Sequence, residues 1–144
     1  MPNHNYSSKY FTPQELVPRK VYDMLGAKSY CLFEKKVLQK LDKLREDYGK
    51  ALKINDWNNG GSYSESGYRE LYTNTGASKS SHKFGYAFDI KHYDHSSLQS
   101  LREFIIKNAE LYRIKRVENF DSTPTWIHLE FTTELVDATY YFNP

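Results

Sequence analysis

The chain of 144 residues is long enough for one domain with a single hydrophobic core. Hydrophobic residues make up 39% and charged residues 26% of the chain, a balance that excludes disordered and fibrous classes. The formal net charge of +2 provides no concentrated basic face, so we expect no nucleic-acid partner. The polar N-terminus lacks a signal-peptide pattern and no apolar run reaches membrane-spanning length. We therefore expect synthesis in the cytoplasm and no membrane insertion.

The first part of the chain predicts helices. Residues 1–10 are polar and suggest a loose N-terminal arm. The sequence Thr12-Pro13-Gln14-Glu15 has the form of a capping box and predicts a helix over residues 12–25. Apolar residues at helical spacing predict a longer helix over residues 29–48, which Gly49 ends. These helices should form the scaffold of the domain.

The second part predicts short strands around one further helix. Residues 51–55 are a strand candidate, residues 56–66 form a loop too polar to bury, and residues 68–72 suggest a helical turn. The later elements are strands over residues 86–91, 112–118 and 126–131, with a helix over residues 96–110. Helices come first and an antiparallel pair of strands comes last, which favours an α+β domain.

The strand predicted over residues 86–91 points an acid away from the core. Successive side chains of a strand alternate, so Phe88 and Ile90 enter the core while Asp89 faces the other way. Gly85 lets the chain turn just before the strand. The imidazole of His82, upstream of this turn, can therefore reach back toward the carboxylate of Asp89.

The last predicted strand repeats this logic. Ile127 and Leu129 face the core, whereas His128 and Glu130 share the opposite face. Two imidazoles and one carboxylate from separate elements are typical of a catalytic zinc site that keeps a fourth position for water. Bound zinc lowers the pKa of such a water to about 7 and polarises a carbonyl, which amide hydrolysis at neutral pH requires.

The pattern Ser-x-His-x-x-Gly-x-Ala-x-Asp at residues 80–89 resembles the signature of the metallopeptidase M15 family. That family includes D-alanyl-D-alanine carboxypeptidases, L-alanyl-D-glutamate endopeptidases and phage endolysins. Two further segments resemble elements of the family, Ser66-Gly67-Tyr68-Arg69 before the signature and Trp126-Ile127-His128 after it. The resemblance spans residues 11–131. It implies a Hedgehog/DD-peptidase-like fold, in which N-terminal helices pack on a small antiparallel sheet that carries the zinc site.

The resemblance also implies which residues do the chemistry. The family's zinc ligands correspond to His82, Asp89 and His128. Arg69 would hold a substrate carboxylate or carbonyl, a task that suits a forked guanidinium, and Ser80 would join it in binding substrate. The implied function is zinc-dependent hydrolysis of an amide bond in peptidoglycan peptides. We expect a monomer that acts on the cell wall after phage-type release or as a virion component.

The chain departs from the family where many active members carry a general base. Three residues before the closing histidine stands Thr125 instead of an acid. Glu118 is the first candidate for the missing base, Glu130 is the second and Asp121 is the third. If none of them serves, the alternative is a zinc-binding but catalytically inactive module that binds the cell wall or belongs to a virion.

Overall fold

The computed structural model describes residues 2–77, 79–94 and 96–144. Within these ranges the chain forms four α-helices: α1 Pro13–Leu16, α2 Arg19–Leu25, α3 Lys35–Tyr48 and α4 Gln99–Asn108. The strands are β1 Leu52–Lys53, β2 Ala87–His92, β3 Ile114–Glu118, β4 Ile127–Phe131 and β5 Tyr140–Phe142. The predicted α+β class is confirmed. No helix in the described part of the chain combines the length and apolar character needed to cross a membrane.

The strands form one five-stranded sheet in the order β1-β2-β4-β3-β5. β2 pairs antiparallel with β1 and β4, and β3 pairs antiparallel with β4. β5 instead runs parallel to β3 at the edge of the sheet. The small antiparallel sheet that was expected is therefore found over β1 to β4, and the unpredicted strand β5 makes the whole sheet mixed. This strand has only three residues, and two of them are exposed. Its sequence therefore lacks the alternation of apolar and polar residues that predicts a strand.

One face of the sheet contributes to the hydrophobic core. The alternation predicted for β2 and β4 is confirmed. Asp89, His128 and Glu130 contact one another on one face, whereas the side chains between them belong to the hydrophobic core: Phe88, Ile90, Ile127, Leu129 and Phe131. The amphipathic helix α3 supplies four more residues of the same core, Val37, Leu38, Leu41 and Leu44. The opposite face of the sheet carries polar side chains from β1, β2, β3 and β4, and this face holds the candidate site.

The two predicted N-terminal helices are shorter than expected. The first is interrupted at Pro18, which has no N–H to donate and disfavours helical backbone at Val17 before it. The second begins only at Lys35, after a 3-10 segment over Gly26–Leu32. Its predicted end is confirmed, since Gly49 caps α3 with a left-handed φ of 79°.

The N-terminal arm, predicted to be loose, packs against α3. Asp42 is 4% exposed and accepts hydrogen bonds from the Tyr6 hydroxyl at 2.5 Å, the Ser8 hydroxyl at 2.6 Å and the Lys9 N–H at 2.8 Å. A buried carboxylate needs such donors to offset its loss of water. The prediction missed this arrangement because the acid that orders the arm lies more than thirty residues along the chain.

The polar loop before the site is partly buried, contrary to prediction. Asp56 accepts the N–H of Tyr63 at 2.9 Å and pairs with Lys53 at 3.2 Å. Ser66 donates its N–H to the side chain of Asn55 at 2.9 Å. These bonds compensate the polar groups for burial and hold the loop against β1. Residues 68–72, predicted as a helical turn, contain no helix.

Gly85 should be the glycine least tolerant of replacement near the site. It has a φ of +76°, and an added Cβ would lie 2.2 Å from the backbone oxygen of Leu32. We expect Gly85→Ala to lower the free energy of unfolding by about 1 kcal/mol through left-handed strain and by about 1–3 kcal/mol more through the steric clash. Urea unfolding measures the loss.

Gly60→Ala is the matched control. Gly60 has a similar φ of +85°, but an added Cβ would meet no atom within 4 Å. This variant should show only the strain of about 1 kcal/mol. Equal destabilisation by the two substitutions would contradict the close approach of Gly85 to Leu32.

Candidate metal centre

Two strands and a short helical turn converge on one point of the polar sheet face. Asp89 of β2 lies directly opposite His128 of β4 in the antiparallel register. His82 lies in the 3-10 turn Ser81–Phe84, which ends at Gly85 in the left-handed conformation. The predicted change of direction at Gly85 is thus confirmed, and it turns His82 back toward the carboxylate of Asp89.

The three predicted ligand side chains place one atom each in a tight cluster. Asp89 Oδ1 is 2.9 Å from His128 Nδ1 and 3.2 Å from His82 Nε2. The two ring nitrogens are 3.2 Å apart. The side chains are nearly buried, with exposed fractions of 14% for Asp89, 11% for His128 and 1% for His82. The predicted grouping of His82, Asp89 and His128 as a possible metal-binding triad is confirmed.

Hydrogen bonds on the far side of each ring select the nitrogen that faces the cluster. His82 Nδ1 lies 2.8 Å from the carbonyl oxygen of Gly67, which can only accept, so Nδ1 carries a proton. His128 Nε2 lies 3.2 Å from Glu130 Oε2 and donates in the same way. In the neutral rings, His82 Nε2 and His128 Nδ1 therefore present lone pairs to the cluster, as metal ligands must.

The separations of the three atoms fit a tetrahedral ion. Zinc bonds of about 2.0–2.2 Å to nitrogen and oxygen place neighbouring ligand atoms about 3.3 Å apart in a tetrahedron. The observed separations of 2.9 and 3.2 Å lie within a few tenths of an ångström of that value. His82, Asp89 and His128 would hold such an ion after only a small adjustment and would leave its fourth position open.

Glu130 lies behind His128 and its carboxylate is fully engaged. Oε2 accepts from His128 as described, while Oε1 accepts from the Ser81 hydroxyl at 2.6 Å and from Arg116 at 3.4 Å. Burial alone would raise the pKa of Glu130, but the hydrogen bonds from His128 and Ser81 and the charge of Arg116 lower it to about 2. Glu130 is therefore an anion that orients His128.

Arg69 holds the second oxygen of Asp89. Its Nη2 lies 3.1 Å from Asp89 Oδ2, and its Nε donates to the carbonyl oxygen of Glu65 at 2.7 Å. Arg69 also borders the cavity beside the cluster, where a substrate group would meet the guanidinium. Ser80 borders the same cavity, and its Oγ accepts the N–H of His82 at 3.3 Å. Both residues thus contact members of the triad.

The charges around the cluster favour a cation. Burial alone would raise the pKa of Asp89, yet hydrogen bonds from His128 and His82 and their charge hold it below its usual range. Burial alone would lower the pKa of His128, but its contacts with Asp89 and Glu130 raise it to about 9. The two carboxylates therefore stabilise positive charge between them, which a proton or a metal ion supplies.

The three candidate bases occupy different environments. Glu118 is half-buried and borders a cavity of about 420 Å³ together with the triad. Its carboxylate forms no hydrogen bond or ion pair with any residue in the described ranges. Glu130 also borders the cavity, but both of its oxygens accept hydrogen bonds from neighbouring side chains. Asp121 is exposed and does not border this cavity. Thr125, at the position of the usual acid, is exposed.

Several residues that shape the site were not predicted from the sequence. Ser81 and the carbonyl of Gly67 orient the two histidines, and neither carries a sequence signal beyond its place in a motif. Phe142 of β5 contacts His128 edge to face, with ring centroids 5.9 Å apart. Lys91 borders an adjoining cavity. The alternation of β2 identifies Lys91, since it places this residue on the same face as Asp89.

Comparison of the chain with protein-family models, with curated proteins and with solved structures found no match. The case for a metal centre therefore depends on the geometry of the residues themselves. Its two main elements are the convergence of three ligand atoms and the hydrogen bonds that orient both histidine rings.

Zinc should bind the purified protein in a ratio of one ion per chain. Because the ligands are far apart in the unfolded chain, zinc at about 100 times its dissociation constant should raise Tm by roughly 5–10 °C. Elemental analysis and thermal unfolding with and without chelator measure the two effects. His128→Ala should abolish both, whereas His4→Gln, which changes a histidine outside the triad, should retain both. Loss of zinc from the His4 variant would contradict this assignment.

Glu130→Gln should weaken zinc binding by roughly 10- to 100-fold, because a neutral amide orients His128 less well and stabilises positive charge less. Competition with a chromophoric chelator measures the affinity. Glu134→Gln provides the control, since Glu134 is exposed and lies outside the cavity. An unchanged affinity in the Glu130 variant would show that its contact with His128 is not needed for zinc binding.

Proposed function

We propose that this protein is a zinc-dependent peptidase that hydrolyses an amide bond in peptidoglycan peptides. The proposal depends on one observation: three oriented ligand atoms border the same cavity as a carboxylate that has no hydrogen-bond or ion-pair partner among the described residues. The triad supplies the ligand atoms and Glu118 supplies the carboxylate. Metal-assisted hydrolysis requires both a metal site with an open position and a base beside it.

Each residue of the cavity has a distinct part in this proposal. Bound zinc would lower the pKa of a water and polarise the scissile carbonyl. Glu118 accepts a proton from the attacking water and returns it to the leaving amine. Arg69 orients the substrate by donating to its carbonyl or carboxylate, as it already donates to Asp89. Ser80 offers a hydroxyl at the same cavity as a further substrate contact.

Glu130 does not fit the role of base in this scheme. Both of its oxygens already accept hydrogen bonds, from His128 on one side and from Ser81 on the other. Its pKa of about 2 also makes it a poor proton acceptor at neutral pH. We therefore assign Glu130 to positioning His128 and Glu118 to proton transfer.

The substrate class and the named fold come from the resemblance to the metallopeptidase M15 family. The α+β architecture is compatible with a Hedgehog/DD-peptidase-like fold, and the triad occupies the positions that the resemblance implies. On this basis we propose a monomeric enzyme of phage lysis or of a virion. Carboxypeptidases and endopeptidases of the family share their ligands, so the proposal covers both kinds of cleavage.

A second function, a zinc-binding module without catalytic activity, is favoured by one observation. Thr125 stands where many members of the family carry an acid, and a threonine hydroxyl does not accept a proton at neutral pH as a carboxylate does. In that case the triad would hold zinc as part of a surface that binds cell-wall peptides. Binding of such peptides by zinc-loaded protein, without any cleavage, would identify this function.

Glu118→Gln should abolish cleavage while zinc remains bound, because the amide cannot accept the proton. We expect kcat to fall by about 100-fold or more, given the usual contribution of general base catalysis. Mass spectrometry of peptidoglycan digested by the wild type and the variant measures the products, and elemental analysis confirms the zinc.

Two controls make the result decisive. His128→Ala should lose zinc and activity together, which separates loss of the metal from loss of the base. Glu134→Gln should cleave like the wild type, since its carboxylate is remote from the cavity. Full activity of Glu118→Gln would remove Glu118 from the mechanism. Zinc-loaded wild type that releases no peptide from peptidoglycan would instead favour the binding module.

A further inference from the structure

Lys91 is a buried cation beside the triad, and its hydrogen bonds all go to neutral oxygens. It lies on β2, is 7% exposed and shares the polar sheet face with Asp89. Its Nζ donates to the carbonyl oxygens of Ile54 at 2.9 Å and Asp89 at 3.3 Å, and to Ser66 Oγ at 3.4 Å. In the described ranges no carboxylate lies within 4.0 Å of it. Burying an ammonium group without a counter-ion costs free energy.

A second lysine increases that cost. Lys53 of β1 lies directly opposite Lys91 in the antiparallel register, and it is also 7% exposed. Like charges on opposite residues of adjacent strands destabilise a sheet. Asp56 neutralises Lys53 at 3.2 Å, so this pair of lysines has one carboxylate for two charges. Among the described residues, Lys91 is therefore the member of this pair with no carboxylate at ion-pair distance.

Lys91 borders a cavity of about 290 Å³ that adjoins the metal site. This cavity shares Arg69, Asp89 and Trp126 with the cavity around the triad, so the two are adjacent. The Tyr63 ring also borders it, with its centroid 4.3 Å from Lys91 Nζ. Aromatic rings and two cations therefore surround a space large enough for a peptide side chain or terminus.

The acids that border this cavity are already engaged. Asp89 contacts the two histidines and Arg69. Glu65 accepts the hydroxyls of Thr73 at 2.6 Å and Thr75 at 2.7 Å. Neither carboxylate lies within 4.0 Å of Lys91. A ligand that brings its own negative charge would supply the missing counter-ion.

We infer that the cavity between Lys91, Arg69 and the Tyr63 and Trp126 rings binds a carboxylate of the substrate peptide. Lys91 follows Asp89 by two residues, so it lies about 7 Å along β2 from the triad. An extended peptide advances about 3.3–3.6 Å per residue, which places the bound carboxylate about two residues from the scissile amide. The inference depends on the proposed function only in taking a peptide as the ligand.

Two pairs of stem peptides test this inference on zinc-loaded wild-type protein. In the first pair the α-carboxylate of an internal D-glutamate is free or amidated, and in the second the C-terminal carboxylate is free or amidated. Calorimetry gives the dissociation constant of each peptide. For any peptide that mass spectrometry shows to be cleaved, initial rates give kcat/KM instead. The two pairs distinguish an internal carboxylate from a terminal one as the bound group.

In one of the two pairs, the peptide with the free carboxylate should have a dissociation constant roughly 10- to 100-fold lower than the amidated peptide. This is the usual effect of a charge-assisted contact. Lys91→Met should reduce that preference to nearly one, and Lys91→Arg, which keeps the charge, should restore most of it. Thermal unfolding and zinc content of the variants separate this effect from general instability, because a structural lysine would weaken acid and amide peptides equally.

The outcomes separate the inference from the proposed function. An acid preference that depends on Lys91 but comes without cleavage would support the carboxylate site and contradict the peptidase. Cleavage without acid preference in either pair would overturn the carboxylate site and leave the peptidase standing. Equal loss of acid and amide binding in Lys91→Met would also overturn it.

Discussion

The pairing of β2 with β4 determines the geometry of the candidate site. Antiparallel register places Asp89 opposite His128 and Ala87 opposite Glu130. A slip of β2 by one residue would turn Ala87 and Asp89 into the core and bring Phe88 and Ile90 to the polar face. The same fully buried apolar side chains that stabilise the sheet therefore also hold the two polar residues face to face. The stability of the core and the precision of the site have a common origin.

Around Asp89 and His128, each polar side chain is held in its orientation by a hydrogen bond from or to a neighbouring group. Glu130 fixes the ring of His128, Ser81 fixes Glu130, and the carbonyl of Gly67 fixes His82. Small residues make these contacts possible. Ala87 leaves room opposite Glu130, and Gly67 has no Cβ where one would lie 2.2 Å from the oxygen of Leu16. The polar network is consequently coupled to the packing of α1, remote in sequence from either strand.

The parts of this fold that follow local rules could be predicted from the sequence. Alternation in β2 and β4 identified both the core residues and the outward-facing Asp89 and His128, and Gly49 marked the end of α3. The sequence could not reveal contacts between distant segments. Asp42 orders the N-terminal arm from a separate helix, and Glu130 acquires its partners only when the 3-10 turn folds against β4. The resemblance to a peptidase family indicated the triad but could not show that Glu118 and Glu130 differ in their surroundings.

The parallel strand β5 brings the end of the described chain next to the candidate metal centre. Phe142 packs edge to face on His128, and the guanidinium of Arg116 lies 4.1 Å from the centre of the same ring. Phe142 and Pro144 both border the cavity of the triad. Any polypeptide that continues from Pro144, whether natural sequence or an affinity tag, therefore starts beside this cavity. Protein prepared for functional work should accordingly carry its tag at the other terminus.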